Sequence, residues 1–361
     1  MRCGFGAIPM QDSHQLIERS CRGVKPDRPP IFDIFCNDAV VEHFAGRRPQ
    51  AGDTNTMIAA AAAGLDGTRY VAPPNVEGST YTDIAGSVRE NMRWTSWVKI
   101  HAHQDADSWA RWLAGHVEQL ESEPDPTERQ IADEKQRQRA LNGQLGGTVF
   151  IHCTPSTAIN MALFGYQCGL EPFAFLWADR RDLVHRWFAA LEAAQDRHIR
   201  LAAHRETSPL AMIYSDVAYH QHLMFSPSML REIGFYEDVA RICAAIHERG
   251  MIVIFHSDGY IMPIMDDLIA AGIDGVNPVE VAAGMDIFEL RRRHPQLILA
   301  GGVDVTHLLV NGPARDIRLH TRQMIDEVGA EGRLLIGSST EVGNDVPLAN
   351  YLAFHEEAKR G

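Results

Sequence analysis

The sequence predicts an α/β protein, a single (β/α)8 barrel with an N-terminal arm and extended loops in its first half. Three observations predict it. Short apolar, partly β-branched runs recur at 148–153, 211–216, 251–256, 275–279, 297–301 and 334–337, with helix-length segments between them. These runs are continuously apolar rather than alternating, as strands covered by helices on one face and packed inside a barrel must be. At 361 residues the chain is also long enough for one such barrel with insertions.

Residues 1–30 read as the arm, with a short helix over Ser13–Ser20 and the turn-rich KPDRPP. Ile31–Phe35 suits a buried strand and opens the barrel domain, 31–361. Between 45 and 90, Gly, Pro, Asp and Thr interrupt every period, which predicts excursions above the barrel. Trp94–Ile100 is the next strand candidate and brings the strands to eight. Polar helices follow over Asp107–Glu121 and Glu128–Asn142, with Pro124-Asp125-Pro126 between them. Asp133 and Arg137 at helical spacing mark a solvated face. Later helices are expected at 181–204, 227–248, 260–271, 285–294 and 314–329. Ser226-Pro227 supplies a cap and a first-turn proline, and Gly250 a stop. Gly4-Phe5-Gly6 has neither a third glycine nor a preceding strand, which counts against a doubly wound dinucleotide fold.

Hydrophobic residues at 45% and charged residues at 22% exclude a disordered chain. Lys+Arg 34 minus Asp+Glu 47 gives −13, a field that repels phosphate backbones and argues against nucleic-acid partners. The six scattered tryptophans form neither a base-stacking platform nor a membrane belt. MRCGFGAIPM lacks a signal peptide's apolar segment, and the alanine-rich Met57–Leu65 is about half a membrane span. A cytoplasmic location without membrane partners is therefore expected. Cys3, Cys21, Cys36, Cys153, Cys168 and Cys243 form no Cys-x-x-Cys pair and are expected as reduced, buried thiols. The alternative is a metal-binding or reactive role for Cys36 or Cys153, near presumed strand ends.

Barrel sites assemble at the C-terminal ends of strands. Those ends carry Asp33, His152, Asp216, His256 with Asp258, Glu280, Asp304 and Glu341. Packing alone does not explain so many polar groups beside an apolar core. In VIFHSDG, residues 253–259, strand periodicity puts His256 and Asp258 on one side, and Gly259 permits an abrupt turn. The pair could hold a divalent metal, work as an oriented acid or base, or only brace the loop. Asp216 and Glu280 are placed to join either of the first two arrangements. Tyr219, His220 and His222 follow the strand ending at Asp216, either as substrate contacts or as hydrogen-bonding residues at a helix start. Ala300-Gly301-Gly302 allows close backbone approach but makes no phosphate loop.

With VIFHSDG, GIDGVNPVE, AGMDIFELRRRHP and LILAGGVD, the chain resembles the uroporphyrinogen decarboxylase superfamily. The likeness runs back to SCRGVKPDRPPIFD and forward to LLIGSSTEVGNDVPLANYLAF. It implies a (β/α)8 barrel that decarboxylates porphyrinogens or transfers methyl groups to corrinoid proteins or thiol cofactors, and in the decarboxylase branch a homodimer. Where the decarboxylases carry Arg-Gln-Ala-Gly-Arg against substrate carboxylates, this chain has Asp33-Ile34-Phe35-Cys36-Asn37-Asp38. That replacement puts Asp33 and Asn37 at substrate-facing positions and removes the positive charge. Where thiol-activating methyltransferases bind zinc through His-x-Cys and a distant cysteine, His256 matches the histidine and Asp258 replaces the first cysteine. Thr340 stands at the second, within Ser338-Ser339-Thr340-Glu341.

A classical thiolate zinc site is therefore not expected, and His256, Asp258, Glu280 and Glu341 are the candidate ligands of an oxygen-rich divalent site. The leading expectation is a corrinoid-associated methyltransferase or demethylase. It would move a methyl group from a small methoxylated or methylated substrate to a separate corrinoid protein. His256, Asp258, Asp216 and Glu280 would be catalytic, with Asp33, Asn37, His152, Tyr219, His220, His222, Asp304 and Glu341 around the substrate. The alternatives are a decarboxylase acting on a porphyrinogen or smaller carboxylate, and a non-catalytic ligand-binding barrel.

Overall fold

Five parallel strands form the centre of the computed structural model, which describes residues 12–360. In spatial order they are Leu334–Ser338, Ile298–Val303, Gly275–Asn277, Ile252–His256 and Leu210–Tyr214. They are the last five apolar runs of the sequence. Ile298–Val303 and Leu334–Ser338 are buried at every residue, which is why their sequences do not alternate.

Shorter parallel pairings continue from both edges of this sheet. Ile31 bridges Ile336, Phe32 bridges Gly67, and Gly67–Thr68 pairs with Val149–Phe150. Beyond it, Met212 N donates to Cys153 O and Tyr214 N to Pro155 O, which leads back to the strand Leu210–Tyr214. The result is a barrel-like α/β fold, a parallel core flanked by helices. Among the described residues, no helix is long and apolar enough to cross a membrane.

Two expectations about elements are corrected. Ser96–Ile100 is not a core strand. It lies in an antiparallel sheet with Val88–Asn91 and Thr80–Thr82, and Trp97 is 67% exposed. Solvated on one side, this strand carries a polar residue inside its apolar run; Gly67–Thr68 sits in the core pairing instead. The helix expected over 227–248 is two helices, Pro227–Glu232 and Phe235–His247, parted by Gly234 at φ +78°. Its start is as expected, since Ser226 accepts from Met229 N and Pro227 occupies the first turn. Cys3 and Gly4-Phe5-Gly6 lie outside the described residues.

The described part of the arm is clasped at the base of the core. Its helix Ser13–Cys21 bonds to the sheet through Ser20 Oγ, which donates to Leu334 O. Asp66, its side chain 3% exposed, receives Arg28 on both oxygens at 2.6 and 2.8 Å, Ser13 Oγ at 2.9 Å and Ile31 N at 2.9 Å. Burial pushes this carboxyl up, but Arg28 and Lys359 outweigh it and hold it below the usual carboxylate range. Asp66→Ala would leave the guanidinium half of a mostly buried pair without its partner. The expected loss is about 3–5 kcal/mol of stability, measurable by chemical denaturation; a change within error would mean that the clasp is dispensable.

Candidate active site

The strand Ile252–His256 runs into Ser257-Asp258-Gly259, and Gly259 turns the chain at φ +83°. A Cβ there would lie 2.7 Å from the Ala218 carbonyl carbon, so both the turn and the close approach require glycine. Neighbouring strand ends hold this turn. Asp258 N donates to Asp216 Oδ1 at 3.2 Å and Gly259 N to Glu280 Oε2 at 2.6 Å. Ser257 N donates to Asn277 O at 3.1 Å, and Asp216 N to Asn160 Oδ1 at 2.9 Å. Asp216, His256, Asp258 and Glu280 thus converge from three adjacent strand ends.

His256 is 5% exposed, with Nδ1 2.8 Å from Asn277 Oδ1. Asn277 Nδ2 donates to Ala300 O, so its Oδ1 is the acceptor and the imidazole proton sits on Nδ1. Nε2 is left bare, 3.9 Å from Asp216 Oδ1, beyond hydrogen-bond range. Burial, reinforced by the charge of Arg69, pushes the His256 pKa down to about 3, so the ring is neutral. Between Asn277 and Glu280, the β-branched Val279 is held at φ +58°, a strained conformation of the kind that concentrates at functional sites.

Asp258 Oδ1 is buried and has no hydrogen-bond partner. Burial raises this carboxyl, and Asp216, Glu280 and Glu341 raise it further, to about 7 against the opposing charge of Arg69. Asp216 is raised by burial and by Glu280. Asp33 is also raised to about 7, by burial above all, although Ser338 donates to it through Oγ at 2.6 Å and N at 3.2 Å. Burial is thus the first cause that raises Asp258, Asp33 and Asp216, and neighbouring carboxylates add to it.

Asp216, His256 and Asp258 each offer one ligand atom, all within 4.8 Å of one another. A bare Nε2 whose ring is fixed from Nδ1, beside an unpartnered carboxyl oxygen, fits a divalent cation with nitrogen and oxygen ligands. Asp216 completes this group in place of the expected Glu280 and Glu341: Glu280 is turned to Gly259 N, and Glu341 lies at the exposed rim. Thiolates do not contribute. The five described cysteines are free and buried, and burial pushes Cys36 and Cys153 up to about 12, away from the reactive thiolate form. An ion and a proton exclude one another at Asp258, so in calorimetric titrations of Mn2+ and Zn2+ at pH 8, where that carboxyl is ionised, one ion per chain is expected, bound at least tenfold more weakly by His256→Ala and Asp216→Asn. Unchanged binding in both variants would place the ion elsewhere.

Other expected residues lie apart from this group. Asn37 spends Oδ1 on Val40 N and Nδ2 on Gly343 O and Val346 O, so it clasps the helix Asp38–Ala45 instead of facing a substrate. His152 pairs through Nε2 with Asn142 Oδ1 at 2.8 Å on the outer helix Glu128–Gln144. Asp304 Oδ1 caps its own loop by accepting from Thr306 N and His307 N. Tyr219, His220 and His222 are the exception: they form a hairpin, Ala218–Tyr219 against His222–Leu223, beside the cluster.

Two functional neighbours were missed by sequence reasoning. Arg69 donates to Tyr214 Oη and lies 5.0 Å over its ring, and that ring is 4.9 Å from His256. Arg69 is the cation felt by Asp216, His256 and Asp258. The only signal it offered was its place directly after a two-residue strand.

A family model described as uroporphyrinogen decarboxylase (URO-D) matches residues 176–361, more than half of the chain and the part containing Asp216, His256, Asp258, Glu280 and Glu341. The solved structure of a methyltransferase from Methanosarcina mazei is similar in fold, with a TM-score of 0.65 at 14% identity. The similarity covers 96% of this chain and 98% of that one. No curated protein matches the chain.

Proposed function

The chain belongs to the uroporphyrinogen decarboxylase family, and from that membership we propose that it is a decarboxylase acting on a carboxylate smaller than a porphyrinogen. The observation that carries this reading is Asp258, a buried carboxyl with an unpartnered Oδ1, poised near neutrality beside the cation Arg69. Arg69 uses one N–H on Tyr214 and has others with which to hold a substrate carboxylate. The carbon–carboxyl bond breaks, CO2 departs, and the electron pair stays on the substrate carbon. Asp258 gives its proton to that carbon and is reprotonated from water. A porphyrinogen with its many carboxylates is disfavoured, because Arg48 and Arg93 are both paired to Asp38 and the carboxyl-rich mouth would repel it.

This reading takes 31–361 as one (β/α)8 domain and 1–30 as its arm, in a homodimer. The parallel pairings that join residues 31–32, 67–68 and 149–156 to the five-stranded sheet support the barrel.

The second reading is methyl transfer from a methoxylated or methylated substrate to the cobalt of a separate corrinoid protein. It is favoured by the Asp216–His256–Asp258 group, which offers an acid, or the ligands of a Lewis-acidic ion, to a leaving oxygen. Purified protein incubated with a panel of small carboxylates is expected to release CO2 without any partner. Cobalt methylation only when a corrinoid protein is added would replace the first reading by the second. Binding without either product would reduce the chain to a ligand-binding barrel.

A further inference from the structure

Beside the acid cluster lies an apolar cleft of about 390 Å³ that proton transfer at Asp258 does not use. Phe164 from the π-helical turn Met161–Gly165 and Leu170 from the helix Leu170–Asp179 form one side. Tyr219, Leu223 and Met224 from the hairpin and its continuation form the other. Phe164, Leu170 and Tyr219 are 38%, 47% and 75% exposed, unusual for large apolar side chains grouped in one place. Gln167 at φ +59° and His220 at φ +50° hold strained backbone on either side. A π turn following the short helix Ala158–Asn160 is a second uncommon feature, of a kind found at functional sites.

Both walls are physically continuous with the acid cluster. Asn160, which precedes the π turn, receives the Asp216 amide. The hairpin begins two residues after Asp216, packs Ala218 against Gly259, and accepts Tyr260 N on His220 O at 2.8 Å. The segments that position Asp216 and Gly259 are therefore the segments that shape the cleft.

We propose that this cleft is the subsite for an apolar, ring-sized arm of the substrate whose reacting carboxylate lies at Arg69 and Asp258. The proposal rests on the decarboxylase reading of that cluster. Among the described residues no Asp, Glu, Lys or Arg lines the cleft, and Tyr219 and His222 supply its polar side-chain atoms, so it suits hydrocarbon rather than a charged group. Its volume lies in the range of small-molecule pockets, about 300–1,000 Å³. The substrate class is then an amphipathic carboxylate with an aromatic or branched aliphatic arm.

The test is a fluorescence titration of the full chain with the neutral apolar probe N-phenyl-1-naphthylamine. Saturable binding is expected, displaced at least tenfold more readily by 3-phenylpropanoate than by propanoate. Phe164→Asp and Leu170→Asp, both at exposed positions, should each weaken probe binding at least tenfold with unchanged thermal melts. Leu319→Asp, at an exposed apolar position on another helix, should leave it as in the wild type. No saturable binding, or binding unaffected by the cleft variants, overturns the proposal. So does a wild-type dimer that Leu170→Asp converts to monomer in sedimentation, because the cleft would then be covered by a second copy. Probe and phenylpropanoate binding that survive without CO2 release from any carboxylate would overturn the reaction assigned to Asp258 while supporting the apolar subsite.

Discussion

Asp258→Asn is expected to lower turnover by about 10²–10⁴-fold while making the folded protein more stable in alkali. Both effects have one cause. Burial and the charges of Asp216, Glu280 and Glu341 raise the Asp258 carboxyl from 3.8 to about 7. A carboxyl raised on folding contributes stability that is fully present below its unfolded pKa and is lost as pH rises through the folded one. At pH 8 the wild type therefore carries an unfavourable buried charge, costing on the order of 2–4 kcal/mol. Asparagine keeps the shape without the charge, so the variant should melt higher than the wild type at pH 8, with the gap narrowing by pH 5. Turnover, which needs the protonated acid, should fall in the wild type as pH rises through about 7. Paired pH–rate and pH–melting series check this. A variant with wild-type turnover and no alkaline gain in stability would remove Asp258 from the chemistry.

Acid is expected to destabilise the fold steeply between pH 6.5 and 4 through its buried histidines. Burial is the first cause in each case: it lowers His256 to about 3, and His152 and His355 to about 4. Their unfolded value is 6.5, so the unfolded chain takes up these protons first. The stability they confer is present above pH 6.5 and lost as pH falls toward their folded values. Each is worth on the order of 3 kcal/mol when fully titrated, against a total stability of about 5–15 kcal/mol for a typical protein. The raised carboxyls of Asp33 and Asp258, and of Asp216, Asp238 and Glu192, work in the opposite direction. They are outnumbered, because burial also lowers His14, His103, His116, His198, His204 and His320. The double variant His152→Gln/His355→Gln, away from the candidate site, should lose less stability than the wild type across this range. Equal acid slopes in melts of the two proteins would show that these histidines do not set the response.

The second half of the chain is legible in its sequence because the core there imposes a simple rule. Strands buried on both faces must be apolar throughout, so 211–216, 251–256, 275–279, 297–301 and 334–337 stand out between helical segments. VIFHSDG reveals its turn because a glycine must follow the acid for the chain to reverse against Ala218. The same rule misleads at Trp94–Ile100, whose apolar residues serve a partly solvated antiparallel sheet. It is silent at Gly67–Thr68, because two residues cannot display a period.

By itself, then, the sequence determined the parallel α/β core and the convergence of Asp216, His256, Asp258 and Glu280 at adjacent strand ends. Only the tertiary structure decided what each polar group does, because that depends on the direction of a side chain and on partners distant in the chain. His152 was read at a strand end but turns out to Asn142, and Asn37 donates Nδ2 to carbonyls more than three hundred residues away while its Oδ1 accepts from Val40 N. Arg69 enters the site from a strand too short to recognise and supplies its positive charge. Asn277 fixes the proton of His256 on Nδ1, and burial together with three carboxylates keeps Asp258 protonated near neutrality. These are effects of low dielectric and of charges gathered from separate strands, and neither is a property of any one segment.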